Sequence, residues 1–283
     1  MVDVYVVSAF SKENKGGNKA GVVLNRPELT AGQKMKIAKE LGYSETAFLS
    51  DSDVADVKLE YFTPTEEVPL CGHATIATFS LLRILKQLKK ADYTIETKAG
   101  ILNISIKEDG LIFMEQNCPS YFEILDMDEF RECVRAESIR KDLPAQIVST
   151  GLRDIMLPVA SPEQLENLEP DFEAIAKLSK VKGVVGIHAF ALNKDSDVTA
   201  VCRNFAPLYG IDEESATGTS SCALAGYLFK HCEKKPQYIF EQGHSMGEAS
   251  RLVVNVVYNG EKIKSVSVGG YGYLVCQKSL AIS

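Results

Sequence analysis

The sequence predicts an α+β protein of two duplicated, barrel-like lobes, each a curved and mostly antiparallel sheet around one central helix. Three observations predict this fold: an internal repeat, strand-rich halves with two helical segments each, and one uncharged helical segment in each half. The order of the elements differs from the regular alternation of strand and helix that a parallel sheet requires.

The repeat is clearest around two aromatic segments. The first half reads AFLSDSDVADVKLEYFTP from Ala47, and the second reads AFALNKDSDVTAVCRNFAP from Ala189. An acidic loop follows each segment, and then come CGHATIATFSLL in the first half and SATGTSSCALAGYLF in the second. Phe62 and Phe205 are separated by about half of the 283 residues, so the two halves are predicted to share one architecture.

The repeat predicts two domains of similar length. Residues 1–117 form the first lobe and residues 118–283 the second, with a terminal strand over 272–283 as a candidate to pack back onto the first lobe. Each lobe starts with a strand, VYVVSAF at Val4 and QIVSTGL at Gln146. Near its end, each lobe has the pattern strand, glycine-containing turn, strand, in YTIETKAGILNISI and in QYIFEQGHSMGEASRLVVNVV.

Each lobe also carries one amphipathic helix. In the first lobe, Thr30 and Gln33 form a capping box and Gly42 stands where the helix should end. In the second lobe, Ser161 followed by Pro162 signals a helix start. The apolar positions of this second helix are Leu165, Phe172, Ile175 and Leu178. Their spacing predicts one helix that continues through all four.

A second helix in each lobe is predicted to be surrounded by protein. Residues 74–82 and 220–229 carry no charge and are apolar or small on all sides, which is typical of a buried helix. Each begins after a glycine, Gly72 or Gly218. Because a helix N-terminus has unpaired N–H groups and partial positive charge, the two together are predicted to bind a carboxylate in a cleft between the lobes.

Glu45 is the predicted proton-transfer residue. It lies between two hydroxyl residues at the start of an apolar strand, and Ile187 is assigned as the matching residue of the second lobe. Duplication leaves structural residues in pairs, so an acid that matches an aliphatic residue suggests chemistry, whereas the alternative is an exposed acid at a strand start. A carboxylate partly shielded from water suits a group that takes and returns a proton.

Three further side chains are candidates for the same reaction. His73 opens the first central helix, where it either donates to a substrate oxygen or only caps the helix. Thr219 offers a hydroxyl directly after Gly218, and Glu214 belongs to the acidic run that precedes it.

Three other functions stay open. Residues 243–247 read G-x-S-x-G around Ser245, the nucleophile motif of serine hydrolases, but the stretch that follows is strand-like and no histidine comes later. Cys71 is a candidate thiol base of a racemase, which needs a second thiol, and Cys222 lies one turn inside the second helix. A non-catalytic protein that binds a small molecule is the third alternative.

Composition excludes several classes of protein. The net charge of −7 argues against a nucleic-acid-binding surface. No stretch approaches the roughly 20 uncharged apolar residues of a membrane span, and no signal peptide is evident. Seven cysteines without a CxxC pair indicate reduced thiols and a cytoplasmic protein. No phosphate-binding loop, dinucleotide fingerprint or zinc-spaced Cys/His set is present, so neither a cofactor nor a metal is expected.

Five motifs, in order over nearly the whole chain, resemble one family. They are GGNKAGVVL from Gly16, YSETAFL from Tyr43, YFTPTEEVPLCGHAT from Tyr61, GIDEESATGTSSCAL from Gly210 and EQGHSMGEAS from Glu241. Together they resemble the phenazine-biosynthesis (PhzF-like) isomerases, whose relatives of shared architecture include diaminopimelate epimerase and proline racemase. The resemblance implies the diaminopimelate epimerase-like fold, no cofactor and commonly a homodimer.

The resemblance also implies roles for single residues. It makes Glu45 the catalytic acid and base, with His73, Glu214 and Thr219 orienting the substrate and balancing charge. The predicted substrate contacts are Asn18, Ser44, Gly72, Ala74, Gly218, Ser220 and Gly243. The predicted function is therefore a cofactor-independent isomerase or epimerase that relocates a proton on a small, anionic, carboxylate-bearing metabolite.

Three departures from the family pattern concern the substrate. Glu60 stands where an arginine is often found, Ser215 replaces a proline, and Glu248 stands where an arginine commonly follows the glycine. Aspartate is usual in place of Glu214 and serine in place of Thr219. The resemblance therefore predicts the class of reaction, while the substrate of the phenazine pathway is not assumed.

Overall fold

The computed structural model describes residues 1–26, 28–134, 136–193 and 196–281, so the last two residues of the predicted terminal strand lie outside the described part. The chain forms two compact units. The first consists of Met1–Glu115 together with Gly269–Ser283, and the second is Gln116–Val268. No helix in the described ranges combines the length and the apolar character needed to cross a membrane.

The first unit is a mixed sheet with a helix at its centre. Its elements are β1 (Val2–Ser11), β2 (Asn18–Leu24), α1 (Ala31–Leu41), β3 (Thr46–Ser50), β4 (Val57–Phe62), β5 (Glu67–Val68), α2 (Gly72–Ile84), β6 (Asp92–Thr97), β7 (Gly100–Ile106) and β8 (Ile112–Gln116). Strands β2 and β3 are parallel, as are β4 and β6, while β1 pairs antiparallel with β2. Helix α2 packs against β1, β2 and β3.

The second unit repeats this plan. Its elements are β9 (Ser120–Leu125), β10 (Ala145–Ser149), β11 (Arg153–Pro158), α3 (Pro162–Glu166), α4 (Phe172–Lys182), β12 (Gly186–Leu192), β13 (Ala200–Ala206), β14 (Ile211–Glu214), α5 (Gly218–His231), β15 (Gln237–Gln242), β16 (Ser250–Asn259) and β17 (Lys262–Leu280). The later part of β17 belongs to the first unit, where it pairs antiparallel with β1.

The strand pairings confirm the predicted α+β fold of two repeated sheet-and-helix bodies. The parallel pairs β2/β3 and β4/β6 of the first unit correspond to β11/β12 and β13/β15 of the second. The antiparallel pairs β3/β4 and β6/β7 correspond to β12/β13 and β15/β16. Both units also contain further antiparallel ladders, for example β1/β2 and β10/β11.

Helix α2 is buried along most of its length, as its uncharged sequence predicts, and α5 is buried in the same way. Two buried threonines of α2 satisfy their hydroxyl groups within the helix: Thr75 donates to the Cys71 carbonyl at 2.7 Å, and Thr78 donates to the Ala74 carbonyl at 2.8 Å. Tyr61 of β4 adds a hydroxyl contact to Thr75 at 2.6 Å. These bonds allow polar side chains to occupy an apolar interior, where an unpaired hydroxyl would be costly.

The capping box of α1 is confirmed. The Gln33 backbone N–H donates to Thr30 Oγ1 at 3.3 Å, and the Thr30 N–H donates to Gln33 Oε1 at 3.0 Å. Gly42 ends the helix at φ 73°, a left-handed conformation that glycine adopts without steric cost.

The prediction of one long amphipathic helix in the second unit is wrong, because the structure has two. Ser161 and Pro162 start α3 as expected, but α3 ends at Glu166. A proline has no N–H for a helix ladder and disfavours helical geometry in the residue before it, so Pro170 separates the two helices. Asp171 then caps α4 by accepting from the Ala174 N–H at 2.9 Å.

The strand register also corrects the match between Glu45 and Ile187. Thr46 pairs with Phe62 and Ile187 pairs with Phe205, so Ile187 corresponds to Thr46. The residue that corresponds to Glu45 is Gly186. The β12–β13 hairpin is longer than the β3–β4 hairpin, and the shared Ala-Phe dipeptide concealed this shift.

Candidate active site

The N-terminus of α2 is open and has no side-chain cap. Cys71 precedes the helix in an extended conformation, and Gly72 is the first helical residue. A Cβ atom added to Gly72 would meet no atom within 4 Å, so this glycine is not required by neighbouring protein. The first N–H groups of a helix carry partial positive charge, so this end suits a negatively charged oxygen.

Glu45 and His73 lie together at this helix end. The distance between Glu45 Oε2 and His73 Nε2 is 3.4 Å, and their side chains are 19% and 6% exposed. This distance is within ion-pair range, but the geometry does not meet that of a hydrogen bond. Glu45 Oε2 is buried and has no hydrogen-bond partner among the described residues. A buried carboxylate oxygen without a partner is costly unless a further group bonds to it.

Cys71 completes the cluster, with its sulfur near both nitrogens of the histidine ring. Its Sγ lies 3.4 Å from His73 Nδ1 and 3.9 Å from His73 Nε2. One donor atom from each of Glu45, Cys71 and His73 fits into a group in which all separations are at most 4.8 Å. The arrangement joins an acid, an imidazole and a thiol within one helical turn of the α2 N-terminus.

The N-terminus of α5 in the second unit is organised differently. Thr217 precedes Gly218 and makes no cap with its side chain; its hydroxyl donates to Glu214 Oε2 at 2.6 Å. Gln242 holds the same segment, because its Nε2 donates to the Glu214 carbonyl at 2.6 Å and its Oε1 accepts from the Thr217 N–H at 3.3 Å. The acid of this helix end is therefore held by neighbouring side chains.

Asp154 is a second acid at this helix end that the sequence analysis did not single out. It is buried in β11, and Ser220 of the first turn of α5 donates to its Oδ2 at 2.6 Å. Its Oδ1 has no hydrogen-bond partner in the part of the chain that the structure describes. Burial raises the pKa of Asp154 to about 7. An aspartate inside the apolar stretch DIMLPV is the signal that could have identified it.

The other predicted contact residues occupy varied environments. Asn18 is the buried first residue of β2, and Ser44 is exposed directly before Glu45. Ala74 is fully buried in α2. The Thr219 carbonyl accepts from Thr150 Oγ1 at 2.9 Å.

Gly243 has a structural explanation that needs no ligand. It adopts a left-handed conformation at φ 82°, and an added Cβ would lie 2.5 Å from the Glu248 carbonyl oxygen and 2.8 Å from that of Ser215. A side chain at this position would therefore both strain the backbone and clash with it.

Ser245 does not occupy a nucleophile elbow. It lies in a 3-10 turn, His244–Met246, between β15 and β16, which pair antiparallel. Its hydroxyl donates to Glu213 Oε1 at 2.5 Å. The hydrolase motif needs a strand followed by a helix, so this hairpin lacks the required geometry.

Glu60, one of the departures from the family pattern, is neutralised within the first unit. Lys34 of α1 donates to Glu60 Oε2 at 2.6 Å, and the Lys34 side chain is only 6% exposed. Its ammonium group also lies 5.6 Å from the ring centres of Phe48 and Phe62. The acid therefore has a cation partner on its own side of the sheet.

Comparison with known proteins places the chain in one family. The model of the phenazine biosynthesis-like protein family matches residues 7–278. An uncharacterized isomerase of Clostridium acetobutylicum is 34% identical over 297 residues, which covers 99% of this chain and 98% of that protein. The crystal structure of a phenazine biosynthesis protein of the PhzF family from Bacillus anthracis is 31% identical, with a TM-score of 0.92 and 99% of each chain covered.

A more distant structure shows the wider fold class. A hydroxyproline epimerase from Agrobacterium vitis has a TM-score of 0.62 at 11% identity, covering 98% of this chain and 90% of that one. At this identity the likeness concerns the fold alone. The match of the family model over residues 7–278 and the relatives named as isomerases, which cover 99% of this chain at 34% and 31% identity, lead to one conclusion: this chain belongs to the phenazine biosynthesis-like (PhzF-like) family and is an isomerase.

Proposed function

We propose that this isomerase relocates a proton on an activated C–H bond of a small, carboxylate-bearing metabolite, with Glu45 as the general base and then the general acid. The observation that carries the proposal is the buried Glu45 Oε2, which has no hydrogen-bond partner among the described residues and lies 3.4 Å from His73 Nε2. A general base needs a carboxylate that is partly exposed and not fully engaged by donors, and the Glu45 side chain is 19% exposed with one oxygen that accepts no hydrogen bond among the described residues.

The uncapped start of α2 supports an anionic substrate. Loss of a proton from carbon leaves negative charge on the adjoining carbonyl or carboxylate oxygens. Backbone N–H groups fixed at a helix end stabilise such charge without reorganising during the reaction. The space next to Gly72 allows an oxygen to approach these groups.

The reaction needs no oxidant or reductant, because the proton that is removed is returned to the same molecule. Glu45 takes a proton from one carbon, the electron pair delocalises into the substrate, and Glu45 returns the proton to another carbon on the same face. His73 donates to a substrate oxygen and holds the substrate in register with the carboxylate. Correct positioning of this kind accounts for much of the rate increase in many enzymes.

Glu214 and Thr219 of the second unit receive supporting roles in the proposal. Thr217 and Gln242 fix the Glu214 segment, which suits a residue that positions a substrate rather than one that exchanges protons. The predicted contacts from Gly218 and Ser220 belong to the same supporting group.

A thiol racemase is the second candidate function, because Cys71 Sγ lies 3.4 Å from His73 Nδ1. A two-base racemase needs a second accessible thiol. Cys222, the residue considered for that role, is fully buried in α5, and burial raises its pKa. This environment disfavours the thiolate that a base requires.

Isotope exchange tests the two functions against each other. A panel of small carboxylic acids is incubated with the protein in D₂O, and deuterium uptake or positional rearrangement is followed by NMR. The proposal expects a substrate-dependent signal that Glu45→Gln abolishes and Cys71→Ser retains, with the exposed Glu40→Gln on α1 as the matched control. Exchange that survives Glu45→Gln but is lost in Cys71→Ser would establish the racemase instead. A ligand that raises Tm without any exchange would indicate a binding protein.

A further inference from the structure

The cluster at the start of α2 has the donor set of a transition-metal site. A thiol, an imidazole and a carboxylate are the three kinds of protein ligand that Zn²⁺ takes. They come from Cys71, His73 and Glu45, whose donor atoms all lie within 4.8 Å of one another. Glu45 belongs to a segment far from the other two in the chain, so no linear zinc motif reveals the set.

One distance matches the spacing that zinc imposes, and a second requires a side-chain rotation. Zinc bonds of about 2.3 Å to sulfur and about 2.0–2.2 Å to nitrogen and oxygen, at tetrahedral angles, put neighbouring ligand atoms about 3.3–3.6 Å apart. The distance of 3.4 Å from His73 Nε2 to Glu45 Oε2 lies in this range. Cys71 Sγ lies 3.9 Å from the same nitrogen but 3.4 Å from Nδ1, so the Cys71 side chain must rotate towards Nε2 to share an ion with it. The third separation, at most 4.8 Å, shortens by rotation of the long Glu45 side chain.

Burial and hydrogen bonding favour an ion at this position. Cys71 and His73 are 7% and 6% exposed, so the ligands are held in the protein and shielded from water. The buried Glu45 Oε2 has no hydrogen-bond partner among the described residues, and a bound cation would satisfy it. Three protein ligands leave the fourth position of the ion for a water molecule.

From this geometry we propose that Glu45, Cys71 and His73 form a Zn²⁺ site whose occupancy inhibits the enzyme. Binding displaces the Cys71 thiol proton to solvent, and the resulting thiolate, the neutral imidazole and the carboxylate coordinate the ion. The inhibitory effect rests on the proposed function, since it follows from withdrawing Glu45 and His73 from the substrate. The binding itself does not depend on that function.

Cobalt substitution tests the binding without any substrate. The metal-free protein is titrated with Co²⁺, whose thiolate complexes absorb strongly, and Zn²⁺ is then added to displace it. The expected result is one ion per chain with a thiolate absorption band that Zn²⁺ removes. Cys71→Ser abolishes the band. Loss of even an outer partner of a metal ligand costs about 10–100-fold in affinity, so Glu45→Gln should weaken binding by at least about 10-fold.

The control removes a competing thiol. Cys232 is exposed and follows His231 in sequence, so Cys232→Ser should leave the band unchanged. A band that persists in Cys71→Ser, or an affinity unchanged by Glu45→Gln, would overturn the proposal. If cobalt binds as expected but no isotope exchange occurs, the proposed function fails alone. If exchange occurs and no band forms, the zinc site fails alone.

Discussion

The N-termini of α2 and α5 are corresponding parts of a duplicated structure, but only the acids at α5 accept hydrogen bonds from hydroxyl side chains among the described residues. At α2, Glu45 keeps a buried oxygen that no hydrogen bond among the described residues reaches. At α5, the Glu214 carboxylate accepts from Thr217, and Asp154 accepts from Ser220 through Oδ2, while Asp154 Oδ1 has no hydrogen-bond partner among the described residues. The residue that corresponds to Glu45 in the second unit is Gly186, which carries no functional group.

Under the proposed function, the acid at α2 reacts with the substrate and the acids at α5 support it. In the second unit, hydroxyl donors hold the Glu214 and Asp154 carboxylates in place. The first unit instead places its acid beside an imidazole and a thiol, within 4.8 Å. A duplicated fold can thus provide two similar helix ends, of which one carries the chemistry.

The largest expected effect is the contrast between Glu45→Gln and Glu214→Gln. General acid–base catalysis contributes about 10²–10⁴-fold to rate, so Glu45→Gln should lower kcat by that factor. Glu214→Gln should lower kcat/KM by only about 10-fold, since a positioning hydrogen bond is worth about 1–2 kcal/mol. Turnover of the two variants in parallel checks this. Equal losses in kcat would contradict the distinction between the two helix ends.

Asp154→Asn should change how stability depends on pH. Burial raises the Asp154 pKa to about 7 from 3.8. Between these values the folded protein keeps a proton that the unfolded chain has lost, so the contribution of Asp154 is complete below about pH 4 and lost as pH rises through about 7. A neutral Asn removes this pH dependence, whose contribution to the free energy of unfolding is at most about 4 kcal/mol.

Urea unfolding at about pH 4 and about pH 8 measures the effect. Relative to the wild type, Asp154→Asn should be more stable at the higher pH than at the lower one. A constant difference between the two proteins would show that the buried acid has an ordinary pKa.

His188→Gln should show the opposite pH dependence. His188 is fully buried with Nδ1 2.9 Å from Asn204 Oδ1, and burial lowers its pKa to about 4 from 6.5. In acid, the unfolded chain therefore binds a proton at His188 that the folded protein does not bind. The stability that is present above pH 6.5 is lost as the pH falls towards 4. At about pH 4, the variant should regain up to about 3 kcal/mol of the free energy of unfolding that the wild type loses.

In the wild type these two dependences have opposite signs over the same range and partly cancel. A single His188→Gln or Asp154→Asn change should therefore remove one of two opposing contributions and shift the slope of stability against pH in the direction of the contribution that remains. Stability curves of both variants that parallel the wild type would refute this account of the second unit.

The smallest expected effect compares two glycines. Gly72→Ala meets no atom within 4 Å and should change stability by less than about 1 kcal/mol, while its methyl group crowds the helix end and lowers kcat/KM about 10-fold. Gly243→Ala should cost at least about 1–2 kcal/mol, because φ is 82° and the methyl group meets the Glu248 carbonyl. Thermal melting and turnover separate these outcomes. A destabilised Gly72→Ala with normal kcat/KM would show that Gly72 serves the fold.

Features that depend on residues close together in the sequence could be predicted. The capping box of Thr30 and Gln33 depends on residues three apart, and the buried helices α2 and α5 could be predicted from the uncharged stretches 74–82 and 220–229 alone. Pro170 marks the break between the two helices in the sequence, but the apolar spacing on its two sides predicts one continuous helix. The match of Glu45 to Ile187 failed because alternating strands permit a shift of one residue until the hairpin pairing is known.

The arrangement of the site could not be predicted from the sequence, because it depends on contacts between distant residues. Ser220 donates to Asp154 across 66 positions, and no spacing rule links them. Glu45 and His73 lie in separate motifs, so the missing hydrogen bond at Glu45 Oε2 could not be read from either motif. The pairing of Glu60 with Lys34 likewise depends on the packing of α1 against the sheet.

Strand β17 has a consequence for the order in which the two units can be completed during translation. The second unit is one continuous stretch, Gln116–Val268, and all of it has been synthesised by the time Gly269 is added. The first unit must wait, because its β1 pairs with the far end of β17, as in Val2 with Leu280. The unit with the candidate catalytic acid, although synthesised mostly first, therefore finishes its sheet last.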